Sequence, residues 1–269
     1  MATNAPDYSA LVKRIAPVRE LSQPLSALIY GKSGTGKTAF SATWPKPLLL
    51  LDINEKGTDT IANVEGIDVI TIEEWSQFEE LYWFLADGKH KYKTVVIDQI
   101  TGLQGLKMAA VRAENKKEAG EILAQREWGQ ISGALQDWLL KYRDLVGKGV
   151  NVVFIAHERE DKPEEGADER IDPSIGPRVM PSVAATINGA VSLIGNTLIR
   201  EKFTKDPETN KKTREVQYVL RIGPHAYYVT KIRRPKEFTP PDVVINPSHE
   251  KLLKLTRGQE IIRKVQRRK

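Results

Sequence analysis

Short apolar runs alternate with longer amphipathic stretches through the first 158 residues. SALIY (26–30), PLLLLD (47–52), IDVIT (67–71), KTVVID (93–98) and VNVVFIAHE (150–158) are rich in Leu, Ile and Val. Runs of this length with little polar alternation predict strands buried on both faces. KTAFSATW (37–44) predicts a short helix stopped by Pro45. EEWSQFEELYWFLADG (73–88) sets Trp75, Phe78, Leu81, Tyr82 and Leu85 at helical spacing and ends at Gly88. A helical region over 103–118 leads to a longer helix near 121–146, with Trp128, Ile131, Leu135, Trp138, Leu139, Tyr142 and Leu145 on one stripe. Tryptophans on such stripes read as core, not as platforms for stacking bases. The alternation predicts an α/β fold with a mostly parallel central sheet covered by helices on both faces.

The pattern changes beyond residue 160. A charged stretch over about 158–180, EREDKPEEGADERIDP at its start, holds few apolar residues and reads as a mobile surface loop. VSLIGNTLIREKFT (191–204), REVQYVLRIG (214–223) and AYYVTKIRR (226–234) alternate like antiparallel strands. The first two are joined across KDPETNKK in a basic hairpin within about 198–234. RPKEFTPPDVVINPSHE reads as a proline-punctuated arm, and KLLKLTRGQEIIRKVQRRK as a basic amphipathic helix. The expected organisation is an arm over 1–24, a core over 25–245 and a basic tail over 246–269.

Composition narrows the classes. The chain has 269 residues and no cysteine, which excludes disulfides and thiolate metal sites. No apolar run approaches the roughly 18 residues of a membrane span, and the first residues lack a signal-peptide core. A cytoplasmic protein is expected, of the host cell if phage-encoded. The net charge of +6 is unevenly spread. Residues 1–199 carry 22 Lys/Arg against 27 Asp/Glu, while 200–236 carry 11 against 4 and 251–269 carry 8 against 1. An acidic part followed by a basic third points to a polyanionic partner.

The candidate chemistry starts in the loop after the first strand. Gly31, Lys32, Ser33, Gly34, Thr35, Gly36, Lys37 and Thr38 fill the Walker A pattern G-x-x-x-x-G-K-[ST] between a predicted strand and a predicted helix. Glycines let successive N–H groups turn inward as an anion nest. Lys37 would reach the β and γ phosphates, and the Thr38 hydroxyl would ligate Mg²⁺. ATP and Mg²⁺ are therefore the expected ligands. Asp98, ending the strand TVVID, has the place of a Walker B carboxylate for the same metal. Its successor Gln99 cannot accept a proton, so a base for water must come from another strand end. Glu55, three residues past LLLLD, is the best placed, with Asp52 behind it. His225 and His249 have no Cys or His partners nearby and suggest no metal site. Arg178 in IGPRVMP is a candidate arginine finger or loop contact, with packing the favoured reading.

GKSGTGKT, a Glu shortly after the next strand, VVIDQITGL and NVVFIAHE, in this order, resemble the RecA-type ATPase core. Over roughly 25–245 the chain is similar to the short phage ATPases grouped with single-strand annealing proteins and recombinases. The resemblance implies that Glu55 activates water and that His157, where RecA proper has an amide, senses the γ-phosphate. It implies that basic residues of TKIRRPK (Lys231, Arg233 and Arg234) reach the nucleotide of a neighbouring subunit in a hexameric ring or filament. It also implies single-stranded DNA as partner, together with a single-stranded-DNA-binding protein. Tyr218, Tyr227 and Tyr228 alternate with basic residues and are candidates to stack bases. No counterpart of the family's separate C-terminal DNA-binding domain is expected within these residues, and the basic tail is expected in its place.

Two further classes share the phosphate loop. A nucleotide or small-metabolite kinase is disfavoured because no arginine-rich lid follows the core. A nucleotide-dependent assembly factor would take a protein partner. A GTPase is disfavoured too, since NKKE (115–118) departs from N-K-x-D at its last position.

Overall fold

A computed structural model describes residues 8–12, 24–53, 55–161, 174–205, 210 and 212–261. Most of the arm over 1–24, residues 162–173 of the loop, most of the hairpin's turn and the tail's residues 262–269 therefore lie outside the described residues. In chain order the elements are α1 Ser9–Val12, β1 Ser26–Gly31, α2 Lys37–Ser41, β2 Leu48–Asp52, β3 Ile67–Thr71, α3 Trp75–Asp87, β4 Thr94–Asp98, α4 Ile100–Glu114 and α5 Gln125–Asp144. They continue with β5 Asn151–Asp161, β6 Ser174–Pro177, α6 Pro181–Ala190, β7 Leu193–Lys205, β8 Lys212–Arg221, β9 Lys231–Ile232, β10 Val243–Ile245 and α7 His249–Thr256.

The strands form one sheet in the order β10-β8-β7-β1-β5-β4-β2-β3, with β6 on β5 and β9 on β7. The run from β7 to β3 is parallel, and β8 and β10 add antiparallel strands at one edge. Alternation along β1 divides the core. Leu28 and Tyr30 join the layer of α3, α4, α5 and α6, whereas Ala27 and Ile29 join Phe40, Trp44, Leu252 and Leu255 beneath α2 and α7. Both faces are thus covered, as continuous apolar strands require. Trp75, Trp128 and Trp138 pack in or against the first layer, as their spacing implied.

Five expectations need correction. β3 is an edge strand exposed from Asp68 to Thr71, so its apolar run marks no burial on both faces. α2 ends at Ser41, short of Trp44. Only Lys231 and Ile232 of 226–234 are strand, because Leu193 and Ile194 offer just two ladder positions there. The proline-rich arm contains β10, which pairs with β8. The flanks of the expected mobile loop pair as an antiparallel ribbon, Glu158 with Pro177 through Asp161 with Ser174. His157 consequently lies within β5 and not at a strand end. Helix α6 was not legible, since PSVAATINGA has no wide apolar stripe; Pro181 at its first turn sets the start.

Candidate active site

The parallel strands place their C-terminal ends in one crevice. Gly31 of β1 lies opposite His157 of β5 and Thr197 of β7, and Asp52 of β2 lies opposite Asp98 of β4. A cavity of about 560 Å³ opens there. Its walls include the loop Ser33–Thr38, Glu55, Asp98, Gln99, His157, Thr197, Tyr218 and Asn246. The register therefore brings together Lys37, Thr38, Asp98, Glu55 and His157, which are far apart in sequence.

Gly34 and Gly36 take φ of 77° and 83°, a region that side chains disfavour, so the loop can curl as the glycine pattern required. Gly31 is fixed by crowding instead. A Cβ there would lie 2.3 Å from Thr197 Oγ1 and 2.6 Å from the Thr197 carbonyl oxygen. The Thr197 hydroxyl also hydrogen-bonds Thr35 Oγ1 at 2.7 Å, and Thr35 Oγ1 donates to the Lys32 carbonyl at 2.7 Å. Thr197 thus holds the loop's shape from a neighbouring strand, a role that no local pattern announces.

Lys37 Nζ donates to the carbonyls of Gly31 (3.0 Å) and Lys32 (2.8 Å), within the loop. Burial lowers its pKa, and Asp98, Glu55 and Glu158 oppose that shift. Thr38 Oγ1 donates to Asp98 Oδ2 at 2.7 Å. Burial pushes the Asp98 carboxyl up to about 6; Glu55 and Asp52 add to this, while the Thr38 hydrogen bond and Lys37 act against it. A bound cation would reverse this balance.

The donor set fits Mg²⁺. A hydroxyl and one carboxylate stand together, and the buried Gln99 Oε1 in the same wall has no hydrogen-bond partner. Among the described residues no cluster of three His, Cys, Asp or Glu could cage a metal. Mg²⁺ is commonly held by one or two carboxylates plus substrate phosphates and water.

Glu55 Oε1 accepts hydrogen bonds from Gln99 Nε2 and pairs with His157 Nε2 at 3.1 Å. Asp52 is engaged otherwise: its Oδ1 receives the backbone N–H of Glu55 (3.2 Å) and Lys56 (3.1 Å), and it anchors the turn that presents Glu55.

The other end of the cavity is built by segments that sequence reasoning had assigned elsewhere. Tyr218 stands over the loop, 2.9 Å from where a Cβ of Gly36 would be. The Asn246 N–H donates to the Tyr218 carbonyl at 2.7 Å, and the His249 N–H donates to Thr43 Oγ1 at 3.1 Å. The start of the supposed basic tail is therefore packed against the phosphate-loop helix. Tyr227 and Tyr228 lie away from the cavity, the latter beneath Arg221 at 4.0 Å. Arg178 is exposed and its N–H donates to the His157 carbonyl at 2.7 Å.

Arg233 and Arg234 are not brought into this crevice. The Arg233 N–H bonds the Ser192 carbonyl, and its guanidinium donates to the Gly189 carbonyl at 3.1 Å. Arg234 donates to the carbonyls of Pro235 and Lys236. Both sit where β7 begins, at the opposite edge of the sheet.

A strand–loop–helix cradle at the C-terminal edge of a mostly parallel sheet, with Lys and Thr from the loop and a carboxylate from another strand, defines a P-loop ATPase. Residues 23–234 match the model of the AAA domain family, and the chain belongs to that family. It is 29% identical over 142 residues to the SPbeta prophage-derived uncharacterized protein YorG of Bacillus subtilis (strain 168), covering 50% of this chain and 41% of YorG. Among solved structures it is similar to the prototypical ATPase from the type III secretion system of pathogenic bacteria, at 12% identity and TM-score 0.40 over 65% of this chain and 52% of that one. It is also similar to the P4 protein from bacteriophage phi6, solved in complex with ADP, at 14% identity and TM-score 0.32 over 71% and 57% of the two chains. The chain spans less than half the length of the curated relative and somewhat over half of each solved chain.

Proposed function

We propose that this chain hydrolyses ATP in the crevice and couples hydrolysis to single-stranded DNA in phage recombination or annealing. The convergence of Lys37, Thr38, Asp98 and Glu55 on one cavity carries the hydrolytic part. Lys37 neutralises charge on the β and γ phosphates, and Thr38 with Asp98 would hold Mg²⁺, which when bound withdraws charge from the phosphoryl oxygens. Glu55 takes a proton from the attacking water at Oε1, the atom whose direction Gln99 and His157 fix. His157 is close enough to Glu55 to register the γ-phosphate and the base together. Asp52 is the lesser candidate for the base because its carboxylate already holds the turn.

The DNA part is supported by the two basic segments of the sequence, and the phage setting by the prophage-derived relative. Arg233 and Arg234 would act on the γ-phosphate of a second copy, since within one chain they lie at the edge away from the crevice. The deciding experiment measures ATP hydrolysis with and without a single-stranded oligonucleotide, beside a gel shift. Stimulation with a shifted band is expected. An unchanged rate without a shift would leave an ATPase whose partner is a protein.

A further inference from the structure

The cavity has two ends, and only one of them is accounted for by phosphate and metal chemistry. Lys37 and Thr38 start α2 at the first end, and both carboxylates of the wall, Glu55 and Asp98, stand beside them. α2 leads away from there. Thr43, just past its last turn, accepts the His249 N–H at 3.1 Å. The second end therefore lies where the segment 246–249 meets the close of α2. Its walls are Ala39, Thr43, Tyr218, Val219, Asn246 and Pro247. A triphosphate gripped by Lys37 and Thr38 lays its nucleoside toward this end, since the cavity of about 560 Å³ continues there.

The Asn246 backbone is fixed from both sides. Its N–H donates to the Tyr218 carbonyl at 2.7 Å, and its carbonyl accepts Lys251 Nζ at 2.6 Å. Lys251 Nζ also reaches the Ile245 carbonyl at 2.9 Å, so the first turn of α7 clamps the end of β10. Asn246 takes φ of 46°, near the left-handed region that asparagine tolerates better than most residues. Its side-chain amide, by contrast, enters no hydrogen bond among the described residues. The Thr43 hydroxyl is already engaged, donating to the Phe40 carbonyl at 2.7 Å and accepting from His249. Tyr218 lends a ring that covers Gly36, and a hydroxyl that rotates to donate or accept. Asn246 is left as the fixed polar group with a direction of its own.

We propose that Asn246 reads the base of the bound nucleotide and that this base is adenine. The proposal rests on the ATP reading of the crevice and gives that reading its specificity. An amide sets an acceptor beside a donor, the complement of adenine's N6 amino group and adjacent ring nitrogen. Guanine turns two neighbouring N–H donors outward, at N1 and N2, which a carboxylate satisfies better. The two carboxylates of the wall are both at the other end. Ala39, Val219 and Pro247 supply the apolar surface on which a base lies, as in most nucleotide pockets. Tyr218, which the sequence offered as a platform for nucleic-acid bases, is committed instead to the nucleotide. Because Lys251 fixes the Asn246 backbone, the amide meets the base without ordering a loop first.

The test is calorimetric titration of the full chain, with Mg²⁺, by ATP, GTP or inorganic tripolyphosphate. Wild-type protein should bind ATP about 10-fold or more tighter than GTP, the worth of one bidentate amide–base pair. Asn246→Gly keeps access to the left-handed backbone and removes the amide. It should weaken ATP about 10-fold, leave GTP nearly unchanged and so erase the preference. Asn246→Asp, which accepts but does not donate, should weaken ATP and tighten GTP. Tripolyphosphate affinity should be the same in all three proteins, which marks an intact phosphate end. If Asn246→Gly retains the wild-type ratio of ATP to GTP affinity, the residue serves only the backbone and the proposal fails. Should that variant lose tripolyphosphate as well, the direction of the ratio in Asn246→Asp decides. Equal wild-type affinity for ATP and GTP overturns base reading while nucleotide binding stands. A wild-type chain that binds neither ATP nor tripolyphosphate removes the ATP reading itself.

Discussion

The two ends of the parallel strands treat charge in opposite ways. At the C-terminal edge Lys37, Asp98, Glu55 and His157 sit in a cavity where every charge answers to another, and burial of Asp98 and Lys37 moves both pKa values toward neutrality. At the N-terminal edge Arg233, Arg234 and Lys236 are exposed, in no ion pair among the described residues, and the two guanidinium groups donate to backbone carbonyls. A buried charge is costly unless paired, so the crevice must be assembled to fine tolerance. An exposed surplus costs little in water, and its value lies in long-range attraction. Chemistry therefore suits the first edge, and capture of a polyanion or of a second copy suits the other.

The sharpest challenge to this division concerns Arg233 and Arg234. If they reach a neighbour's γ-phosphate, replacing both with Ala should cut turnover by about 10³-fold, the worth of an arginine finger. Mixing that protein with Lys37→Ala protein should then restore part of the activity through mixed interfaces. A monomeric wild-type protein that is fully active at every concentration would remove the finger.

Within the crevice, Glu55→Gln should slow hydrolysis by roughly 10²-fold or more while ATP binding, followed by calorimetry, persists. Should Asp52→Asn abolish turnover and Glu55→Gln spare it, the base belongs to Asp52. Gly31→Ala probes crowding rather than charge. Its Cβ collides with Thr197, so the variant should lose about 1–3 kcal/mol of stability by denaturant titration. Pairing it with Thr197→Ala should return only part of this, because the Thr197 carbonyl stays in place.

The smallest expected effect lies on α7, the element that touches both ends. Burial against Trp44, whose ring centroid is 4.8 Å away, and then the charge of Arg257 hold the His249 pKa below 6.5. The folded chain thus binds fewer protons than the unfolded one as the pH drops below that value. Its contribution is present above pH 6.5 and fades as the pH falls through the lowered pKa. His249→Gln should flatten this acid-side loss in thermal melts between about pH 5 and 6.5. An identical slope in the variant would show that other groups set it.

Much of the crevice was legible in the sequence because its parts obey short-range rules. The phosphate loop needs glycines at fixed offsets, and positive φ at Gly34 and Gly36 bears out that requirement. Asp98 ends a strand whose apolar run was plain, and α3 ends at Gly88 in the left-handed conformation that its glycine offered. The misses follow from long-range pairing. IDVIT reads as a buried strand, yet it lies at the sheet's edge, a position no local pattern encodes. Thr197 and Asn246 line the cavity because β7 settles beside β1 and β10 beside β8.

The sequence by itself determined the strand–loop–helix phosphate cradle, the alternation of buried strands and covering helices, and the surplus of positive charge toward the C-terminus. These depend on neighbouring residues, whose backbone preferences and apolar period act within one or two turns of chain. Only the tertiary structure decided that Glu55 meets Gln99 and His157, that Asn246 and Pro247 wall the cavity, and that Arg233 and Arg234 lie at the edge of the sheet away from it. Those outcomes depend on strand order and register. One shift along the sheet carries a side chain to the other face or to the far edge, at distances over which local sequence exerts no force.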